Sequence, residues 1–464
     1  VMTRFLLILA LVIPQPSFGE PLNLPEALKK QLEKLVTEYP NEFGVRIDDI
    51  TRGETVFAGN QDAPLNPASV MKLVATKAAL DLLGLGFRWK TDVLIDGARQ
   101  SKSLTGDLYF RGGGDPTLDL MRFKLLLKHI YDLGIHAING NVYVDRSIFP
   151  SDTYDPGQFD DEPLRPYNVG PDALLVNANV FDVRFIPNQE TQTVDLISSP
   201  ENFNIINELK LADQPCAKWP KKPSVIQGQI VFQGSYPASC GIKQRQYNFL
   251  SPSVYFENVF LTEWAALGGT LDGQILDKKT PESAQELLSI ESEPLASALR
   301  LTNKWSSNVA ARHIFLTLSL QPNKTADITA SRLNINDWAR QRGFNTKGFF
   351  IDNGSGLSRD GRIPASLISA ILNAAWVDAS MPEFVSSFSI PGVDGTLENR
   401  FTHSPANARA HLKTGYLEGV RSIAGYLHLS NGHTLSIVFI MNGDALTKNP
   451  ETLEHIVESL YETQ

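Results

Sequence analysis

The sequence predicts an α/β (α+β) fold in which helices flank one antiparallel sheet and a long β-rich insertion interrupts it. Near the start, "GVRIDDITRGETVFAGN" alternates in period two and predicts a β-hairpin that turns at Arg52-Gly53. Near the end, Asn431-Gly432 separates two alternating apolar runs and predicts a second hairpin. Between them, from Trp89 to Ser283, short strand-like runs are separated by Gly, Pro, Asn and Asp. The two hairpins therefore predict the sheet, and the middle predicts the insertion.

The composition is that of an ordinary globular protein. The 464 residues are 42% hydrophobic and 20% charged, and the chain is long enough for more than one core. The net charge of −9 argues against a general affinity for nucleic acid or for anionic lipid.

The first residues, "VMTRFLLILALVIPQPSFGE", have the pattern of an export signal. Arg4 supplies the positive charge, Phe5 to Ile13 are apolar, and small residues at 17–19 suit cleavage. Nine apolar residues are too few to span a bilayer as a helix, and a buried N-terminal helix is the alternative. We expect residues 1–19 to be a signal peptide and the exported protein to have no transmembrane anchor.

A helix is predicted directly after the first hairpin. Following Asn66-Pro67, "ASVMKLVATKAALDLLGLG" has apolar residues at helical spacing and ends at glycines. Ser69 and Lys72 lie three residues apart in its first turn, so that the lysine amine can reach the serine hydroxyl. Taken alone, the two residues favour an ordinary helix start over a catalytic pair.

The insertion is assigned to residues 89–283, between the two parts of the main domain at 20–88 and 284–464. Its clearest helix, "LDLMRFKLLLKHIYDLG", ends at Gly134, and "FRGGGDPT" predicts a tight turn rather than a phosphate loop. Cys216 and Cys240 predict a local disulfide in an oxidising compartment, with two free thiols as the alternative. The two cysteines and eight histidines form no ligand pattern, so we expect no metal and no cofactor.

Three short motifs occur in one order along the chain: Ser69-x-x-Lys72, Ser306-x-Asn308 and Lys413-Thr414-Gly415. The first begins a helix, the second separates two predicted helices, and the third enters a strand beside the second hairpin. Each motif is weak alone, because Ser306 also suits a helix N-cap and the last motif suits any strand that ends in a turn.

This arrangement resembles the penicillin-binding proteins and serine β-lactamases, whose sites use these three motifs. Further segments narrow the resemblance to the class C, low-molecular-mass penicillin-binding proteins. That family comprises the D-alanyl-D-alanine carboxypeptidases/endopeptidases (penicillin-binding protein 4, DacB-like, peptidase family S13). The similar segments are "PASVMKLVATKAALDLLG", "FRGGGDPTL", "NKWSSNVAARHI", "DNGSGLSRDGRIPAS" and "GVDGTLENR". The resemblance implies a β-lactamase/DD-peptidase-type sheet with domains inserted between Ser69 and Ser306.

Acyl transfer assigns roles to these residues. Ser69 is the candidate nucleophile and Lys72 its base, provided that burial and the nearby charge of Lys413 keep the amine neutral. Ser306 would bridge the two lysines and pass a proton to the leaving amine. By analogy with the family, the backbone N–H groups of Ser69 and Tyr416 would form the oxyanion hole.

The other motif residues are candidates for holding the substrate. Asn308 can hydrogen-bond a substrate amide carbonyl, and Lys413 with Thr414 can hold a C-terminal carboxylate by charge-assisted hydrogen bonds. Gly415 has no side chain, so an extended substrate could lie along its strand.

Two further segments suggest contacts with the substrate. "DEPLRPYNVGPDALLVN" resembles the family segment in which an acid and an aromatic meet the amino group of a meso-diaminopimelate side chain, which makes Asp161 and Tyr167 candidates. A solvated acidic loop is the alternative. Arg359 either faces the substrate or is a surface arginine.

The sequence therefore predicts an exported serine DD-peptidase of the periplasm or extracytoplasmic cell-wall space. Its partners would be peptidoglycan stem peptides and β-lactam antibiotics, which would acylate Ser69. A serine β-lactamase and a catalytically inactive wall-binding protein are the alternatives. The balance of carboxypeptidase to endopeptidase activity and homo-oligomer formation are left open.

Overall fold

The computed structural model describes residues 21–150, 154–201, 203, 205–219, 222–226, 229–322, 324–449 and 451–463. The predicted signal peptide at residues 1–19 lies outside these ranges. Within them, no helix is both long enough and apolar enough to cross a bilayer.

The helices and strands are as follows. The helices are α1 Glu26–Glu38, α2 Lys72–Leu83, α3 Leu120–Asp132, α4 Pro252–Ala266, α5 Leu295–Asn303, α6 Asn308–Thr317, α7 Ile328–Gln341, α8 Ala365–Val377, α9 Met381–Ser386, α10 Asp444–Thr447 and α11 Thr452–Tyr461. The strands are β1 Phe43–Asp49, β2 Glu54–Gly59, β3 Lys90–Gln100, β4 Ser103–Arg111, β5 Ala137–Asn139, β6 Val142–Asp145, β7 Phe181–Asn188, β8 Thr193–Ser199, β9 Ile205–Ala212, β10 Ser224–Ile226, β11 Gln229–Pro237, β12 Lys243–Tyr247, β13 Thr270–Leu271, β14 Ile275–Asp277, β15 Gln285–Glu291, β16 Ala410–Leu417, β17 Val420–His428 and β18 Thr434–Asn442.

One antiparallel sheet joins the two ends of the chain. Its strand order is β16-β17-β18-β1-β2. The two predicted hairpins are β1–β2 and β17–β18, and Gly432 in the second turn has a φ of +89°, a conformation that glycine adopts without strain. β1 pairs with β18, with Val45 opposite Phe439. The predicted antiparallel sheet is confirmed.

Both faces of this sheet are covered by helices, and its strands β17 and β18 are buried along almost their whole length. In β18, Ile437 and Phe439 belong to a core that includes residues of α1 and α11, whereas Val438 and Ile440 belong to a core with α2 and α8. Successive residues of a strand point to opposite faces, so that a continuous apolar run serves two cores. The fold class predicted from the sequence is therefore confirmed.

The middle of the chain forms two further sheets around a core of their own. One runs β13-β5-β4-β3-β15, with β6 and β14 attached, and the other runs β10-β11-β9-β8-β7-β12. β15 begins just beyond residue 283 and pairs with β3, a strand of the predicted insertion. The predicted division into domains at residues 89 and 283 stays a prediction. The predicted disulfide joins Cys216 to Cys240, whose Cα atoms are 4.8 Å apart.

Close packing explains the triple glycine at residues 112–114. A Cβ atom on Gly112 would lie 2.3 Å from the carbonyl oxygen of Ala173, and one on Gly113 would lie 1.9 Å from that of Lys90. Larger residues would therefore force neighbouring backbone apart, as expected of a tight structural turn.

Candidate active site

The turn that carries Ser69 is held from both sides. Ser69 lies in a short 3₁₀ helix, Ala68–Met71, that leads directly into α2. Asn66 accepts a hydrogen bond from the Ala68 N–H (2.9 Å) and donates one to the Ser358 carbonyl (2.9 Å). Asn442, at the end of β18, exchanges two further bonds of 2.9 Å with the backbone of Asn66. The serine is thus fixed to the sheet and to the 358 loop.

Lys72, the first residue of α2, is completely buried. Its Nζ atom lies 2.9 Å from Ser69 Oγ, 2.7 Å from Asn308 Oδ1 and 2.5 Å from the Ser355 carbonyl oxygen. The predicted reach of the lysine amine to the serine hydroxyl is therefore present.

Burial favours the neutral form of the Lys72 amine. Removal from water, followed by the positive charges of Lys413 and Arg312, holds the pKa of Lys72 well below its ordinary value. The Arg312 side chain is itself buried and donates to the Val169 carbonyl at 2.8 Å. Two cations close to the amine therefore act in the direction that the sequence predicts.

Ser306 lies in the short connection between α5 and α6 with a φ of +60°. Few residues other than glycine adopt this conformation, and such positions concentrate at functional sites. The N-cap of α6 is Ser307, whose Oγ accepts a bond from the Ala310 N–H at 3.2 Å. Ser306 is therefore not the helix cap, and its hydroxyl instead accepts a 2.9 Å hydrogen bond from Lys413. A bond between Ser306 and Lys72, predicted from the sequence, is not among those of the described residues.

Asn308 has different partners from those expected. Its Oδ1 lies against Lys72, and its Nδ2 donates to the Tyr167 carbonyl at 3.0 Å. Both polar ends of the side chain are occupied within the protein. The contact of Asn308 with a substrate carbonyl stays a prediction.

Lys413, on β16, is completely buried behind Ser306. Its Nζ also donates to the Thr414 carbonyl at 2.7 Å, and burial lowers the pKa of Lys413 to about 7. The Thr414 hydroxyl lies 3.2 Å from that of Thr396. β16 thus presents Lys413 and the Thr414 hydroxyl at one end of the site, and the Thr396 hydroxyl lies beside them from the short helix Gly395–Leu397.

Gly415 makes room for protein atoms rather than for open space along the strand. A Cβ atom there would lie 2.2 Å from Ser422 Oγ and 2.5 Å from the Pro67 carbonyl oxygen. The expected path of an extended substrate along this strand stays a prediction. Glycine at this position allows β16 to pack against the turn before Ser69.

Tyr416 and Arg359 border the site at the surface. Tyr416 is 65% exposed, and the Arg421 guanidinium lies 3.8 Å from the centre of its ring. Arg359 is half exposed, donates to the Glu418 carbonyl at 2.9 Å and lies 5.1 Å from the centre of the Phe159 ring. Arg359 thus lies near the end of the Lys413 strand, and its contact with substrate stays a prediction.

Tyr167 reaches the site, but Asp161 is not its acidic partner. Its backbone carbonyl bonds Asn308, and its hydroxyl donates to Asp160 at 2.8 Å. Asn168 donates to the other oxygen of Asp160 at 2.7 Å, whereas Asp161 is exposed with a φ of +55°. The acid that holds Tyr167 and Asn168 is therefore Asp160, and the contact of Asp161 and Tyr167 with substrate stays a prediction.

Sequence reasoning missed the role of the loop around Ser355. Its carbonyl oxygen contacts Lys72, and a Cβ atom on the adjacent Gly356 would lie 1.9 Å from the Ala68 carbonyl oxygen. A backbone carbonyl has no signature of its own in a sequence. The flanking glycines of "GSGLS" were the available signal, since they indicate close backbone approach.

No group of three or more His, Cys, Asp or Glu side chains suited to a metal ion occurs among the residues with described positions. The arrangement at Ser69 is a hydroxyl beside a desolvated amine, with a second buried lysine nearby. Such an arrangement supports nucleophilic attack on a carbonyl group of a substrate that carries a carboxylate.

Known proteins are similar to this chain in sequence and in fold. A model of the D-Ala-D-Ala carboxypeptidase 3 (S13) family matches residues 28–462. The D-alanyl-D-alanine carboxypeptidase DacB of Haemophilus influenzae is 24% identical over 435 residues, which cover 91% of this chain and 90% of the relative. A D-alanyl-D-alanine carboxypeptidase of Actinomadura sp. is 26% identical over 423 residues, covering 86% and 77% of the two chains.

The solved structures agree on the fold. The crystal structure of penicillin binding protein 4 (dacB) from Haemophilus influenzae has a TM-score of 0.77 and 23% identity. The match covers 92% of this chain and 98% of that one. A second structure of that protein, complexed with a β-lactam, has a TM-score of 0.73 and 22% identity and covers the same shares.

Proposed function

The chain belongs to the D-Ala-D-Ala carboxypeptidase 3 (S13) family, and from this premise we propose that it is a serine DD-peptidase whose nucleophile is Ser69. The observation that carries the proposal is the 2.9 Å contact between Ser69 Oγ and the buried Nζ of Lys72. A serine hydroxyl becomes an effective nucleophile only when a neighbouring group accepts its proton.

The contacts of Lys72 support its role as that base. A neutral amine has two N–H bonds and one lone pair, and two of its neighbours, Asn308 Oδ1 and the Ser355 carbonyl, can only accept hydrogen bonds. The lone pair is then directed at the third neighbour, the Ser69 hydroxyl, which donates to it. The lowered pKa of Lys72 favours this neutral form at neutral pH.

The first half of the reaction forms an ester. Ser69 Oγ bonds to the carbonyl carbon between two D-residues while its proton passes to Lys72. The backbone N–H groups of Ser69 and Tyr416 stabilise the negative charge on the carbonyl oxygen. The C–N bond then breaks as the leaving amine takes up the proton that Lys72 accepted, passed on by way of the Ser306 hydroxyl, and Lys72 returns to its neutral form.

The second half releases the acyl group. Water adds to the ester carbonyl, loses a proton to the base and displaces Ser69 Oγ, which regains a proton. During the first half of the reaction, Lys413 and Thr414 hold the carboxylate of the leaving residue by charge-assisted hydrogen bonds. Asn308 positions Lys72 and the Tyr167 segment, whereas Tyr167 and Arg359 border the space for the acyl side of the substrate.

The substrates that this chemistry suits are the stem peptides of peptidoglycan. Release of terminal D-alanine is the carboxypeptidase reaction, and cleavage of a D-centred cross-link is the endopeptidase reaction. A β-lactam antibiotic acylates the same serine and leaves slowly. The protein acts after export, in the periplasm or the extracytoplasmic cell-wall space.

The test is acylation by a fluorescent penicillin, followed by the intact mass of the protein. We expect a stable adduct on the wild type and none on Ser69→Ala. An adduct that persists on Ser69→Ala, or none on either protein, would refute Ser69 as the nucleophile. Rapid turnover of the β-lactam would indicate a β-lactamase instead.

A further inference from the structure

Helix α6 holds a segment of the inserted part, residues 167–172, by its backbone. Three side chains of the helix make these contacts: Asn308 donates to the Tyr167 carbonyl at 3.0 Å, Arg312 donates to the Val169 carbonyl at 2.8 Å, and His313 Nε2 accepts from the Asp172 N–H at 3.2 Å. The segment therefore lies along the same helix that brings Asn308 to Lys72.

Arg312 is a buried cation without a carboxylate partner. It is 5% exposed, and within the described ranges it forms no ion pair. Its guanidinium lies 4.9 Å from the centre of the Tyr154 ring. The carboxylate that acts on it electrostatically, that of Asp352, is itself paired with Arg332. Burial of such a charge costs free energy, so its role is to be sought in the site rather than in stability.

The position of Arg312 on α6 places its charge close to Lys72. Arg312 follows Asn308 by four residues, so that both side chains lie on one face of the helix. Asn308 Oδ1 contacts Lys72 Nζ at 2.7 Å, and the guanidinium is thus one helical turn from that contact. The charged groups that face the amine are Arg312 from α6 and Lys413 from β16, and no carboxylate among the described residues pairs with it.

The held segment also fixes the orientation of the Asn308 amide. The Tyr167 carbonyl can only accept a hydrogen bond, so it takes the NH₂ group and leaves Oδ1 for Lys72. The bond from Arg312 to the Val169 carbonyl holds the same backbone two residues further on. Arg312 is therefore connected to Lys72 both through its charge and through this segment.

We propose that Arg312 is a positioning residue of the acyl-transfer site, which holds residues 167–172 against α6 and places a positive charge beside Lys72. The inference rests on the proposed function and gives the inserted part a role in activating the nucleophile. Without this charge, Lys72 binds a proton more readily, and a protonated amine cannot accept the proton of Ser69.

The experiment measures the rate of Ser69 acylation by a fluorescent penicillin across the pH range in which each variant stays folded. Arg312→Lys keeps the charge, Arg312→Gln keeps a donor for the Val169 carbonyl without the charge, and Arg312→Met keeps neither. On the acid side the rate falls because Lys72 becomes protonated. We expect this fall to move up by about one pH unit in the two uncharged variants, which makes acylation there about tenfold slower, and to stay in place in Arg312→Lys.

Lys413 provides an internal reference in the same profiles. Burial lowers the pKa of Lys413 to about 7, and its cation is lost as the pH rises through that value. The fall in rate above about pH 7 should therefore be the same in the wild type and in all three variants. A merely structural role of Arg312 would instead lower the rate by one factor at every pH.

Arg146→Gln is a matched control. Like Arg312, Arg146 is largely buried and donates to a carbonyl of the inserted part, that of Leu174, at 2.8 Å. Its charge, in contrast, is paired with the carboxylates of Asp172 and Asp277. We expect Arg146→Gln to keep the acid side of the wild-type profile, whatever its stability in thermal unfolding.

The outcomes separate the two proposals. A wild type that forms no adduct at Ser69 overturns the proposed function and, with it, this inference. Acylation at Ser69 with the wild-type acid side in Arg312→Gln and Arg312→Met overturns the inference alone. A shift in Arg312→Met but not in Arg312→Gln would overturn the role of the charge. An equal shift in Arg146→Gln would overturn the inference as well, because loosening of the inserted part would then explain it.

Discussion

Replacing Gly356 by alanine tests whether the loop at residues 353–358 sets the position of the nucleophile. Gly356 has a φ of +74°, and a Cβ atom there would lie 1.9 Å from the Ala68 carbonyl oxygen and 3.1 Å from the Ser69 Cα. Real Cβ atoms essentially never approach another heavy atom within 3.0 Å, so the two segments must move apart by about 1 Å. Since Ala68 precedes Ser69, the displacement reaches the nucleophile.

Two effects of the substitution have different sizes. The left-handed conformation costs alanine about 1–2 kcal/mol of stability. A displacement of about 1 Å at the reacting atom lowers the rate by about 100-fold. We therefore expect Gly356→Ala to be modestly destabilised and to acylate with penicillin about 100 times more slowly than the wild type.

Gly343 provides a control that isolates the second effect. It has a φ of +77°, but a Cβ atom there would meet nothing within 4 Å. Gly343→Ala should therefore lose similar stability in thermal unfolding and keep the wild-type acylation rate. Equal acylation rates in Gly356→Ala and Gly343→Ala would refute the argument that close packing of the 356 loop positions Ser69.

Three further predictions concern the charges and caps of the site. Burial lowers the pKa of Lys413 to about 7, so the cation proposed to hold the substrate carboxylate is lost as the pH rises through 7. We expect kcat/KM for a peptide substrate to fall above about pH 7, and a profile that stays flat to pH 9 would contradict the role of Lys413. Ser306→Ala should abolish most activity, whereas Ser307→Ala should lose only about 1 kcal/mol of stability as a helix cap. A loss of thermal stability in Ser306→Ala together with a loss of peptide hydrolysis in Ser307→Ala would show that the two serines have the opposite roles. Asp160→Asn should speed amide hydrogen exchange in residues 160–168 about tenfold because it weakens hydrogen bonds to a carboxylate. Asp161→Asn should leave that exchange unchanged, and equal effects would contradict the assignment of Asp160.

Much of the fold could be predicted because its signals are local. The two hairpins, the helix after Ser69 and the helix that ends before Gly134 depend on periodicity and on glycine at turns. The disulfide was predictable because the chain contains two cysteines, which allow one intramolecular pairing. The pairing of β15 with β3 was not predictable, since about 190 residues separate them and no local pattern selects the partner strand.

The candidate site was likewise predictable only in part. The residue types and the order of the three motifs indicate an acyl-transfer site through their resemblance to the penicillin-binding proteins and serine β-lactamases. The roles of the neighbouring residues could not be predicted. Asp160, and not Asp161, bonds Tyr167, and Ser307, and not Ser306, caps α6. Each of these choices depends on backbone direction within an irregular segment, where a shift of one residue turns a side chain to another side.

The order of amino acids specifies which chemical groups the protein can bring to a reaction, namely Ser69, Lys72, Ser306 and Lys413. The protonation state of these groups, in contrast, depends on contacts that form only when the chain folds. The contact of Lys72 with Asn308 joins residues 236 positions apart, and its contact with the Ser355 carbonyl joins residues 283 positions apart. A lysine in water is a cation and no base. The proposed role of Lys72 as a base depends on distant parts of the chain, which enclose the amine, exclude water and place a second cation nearby.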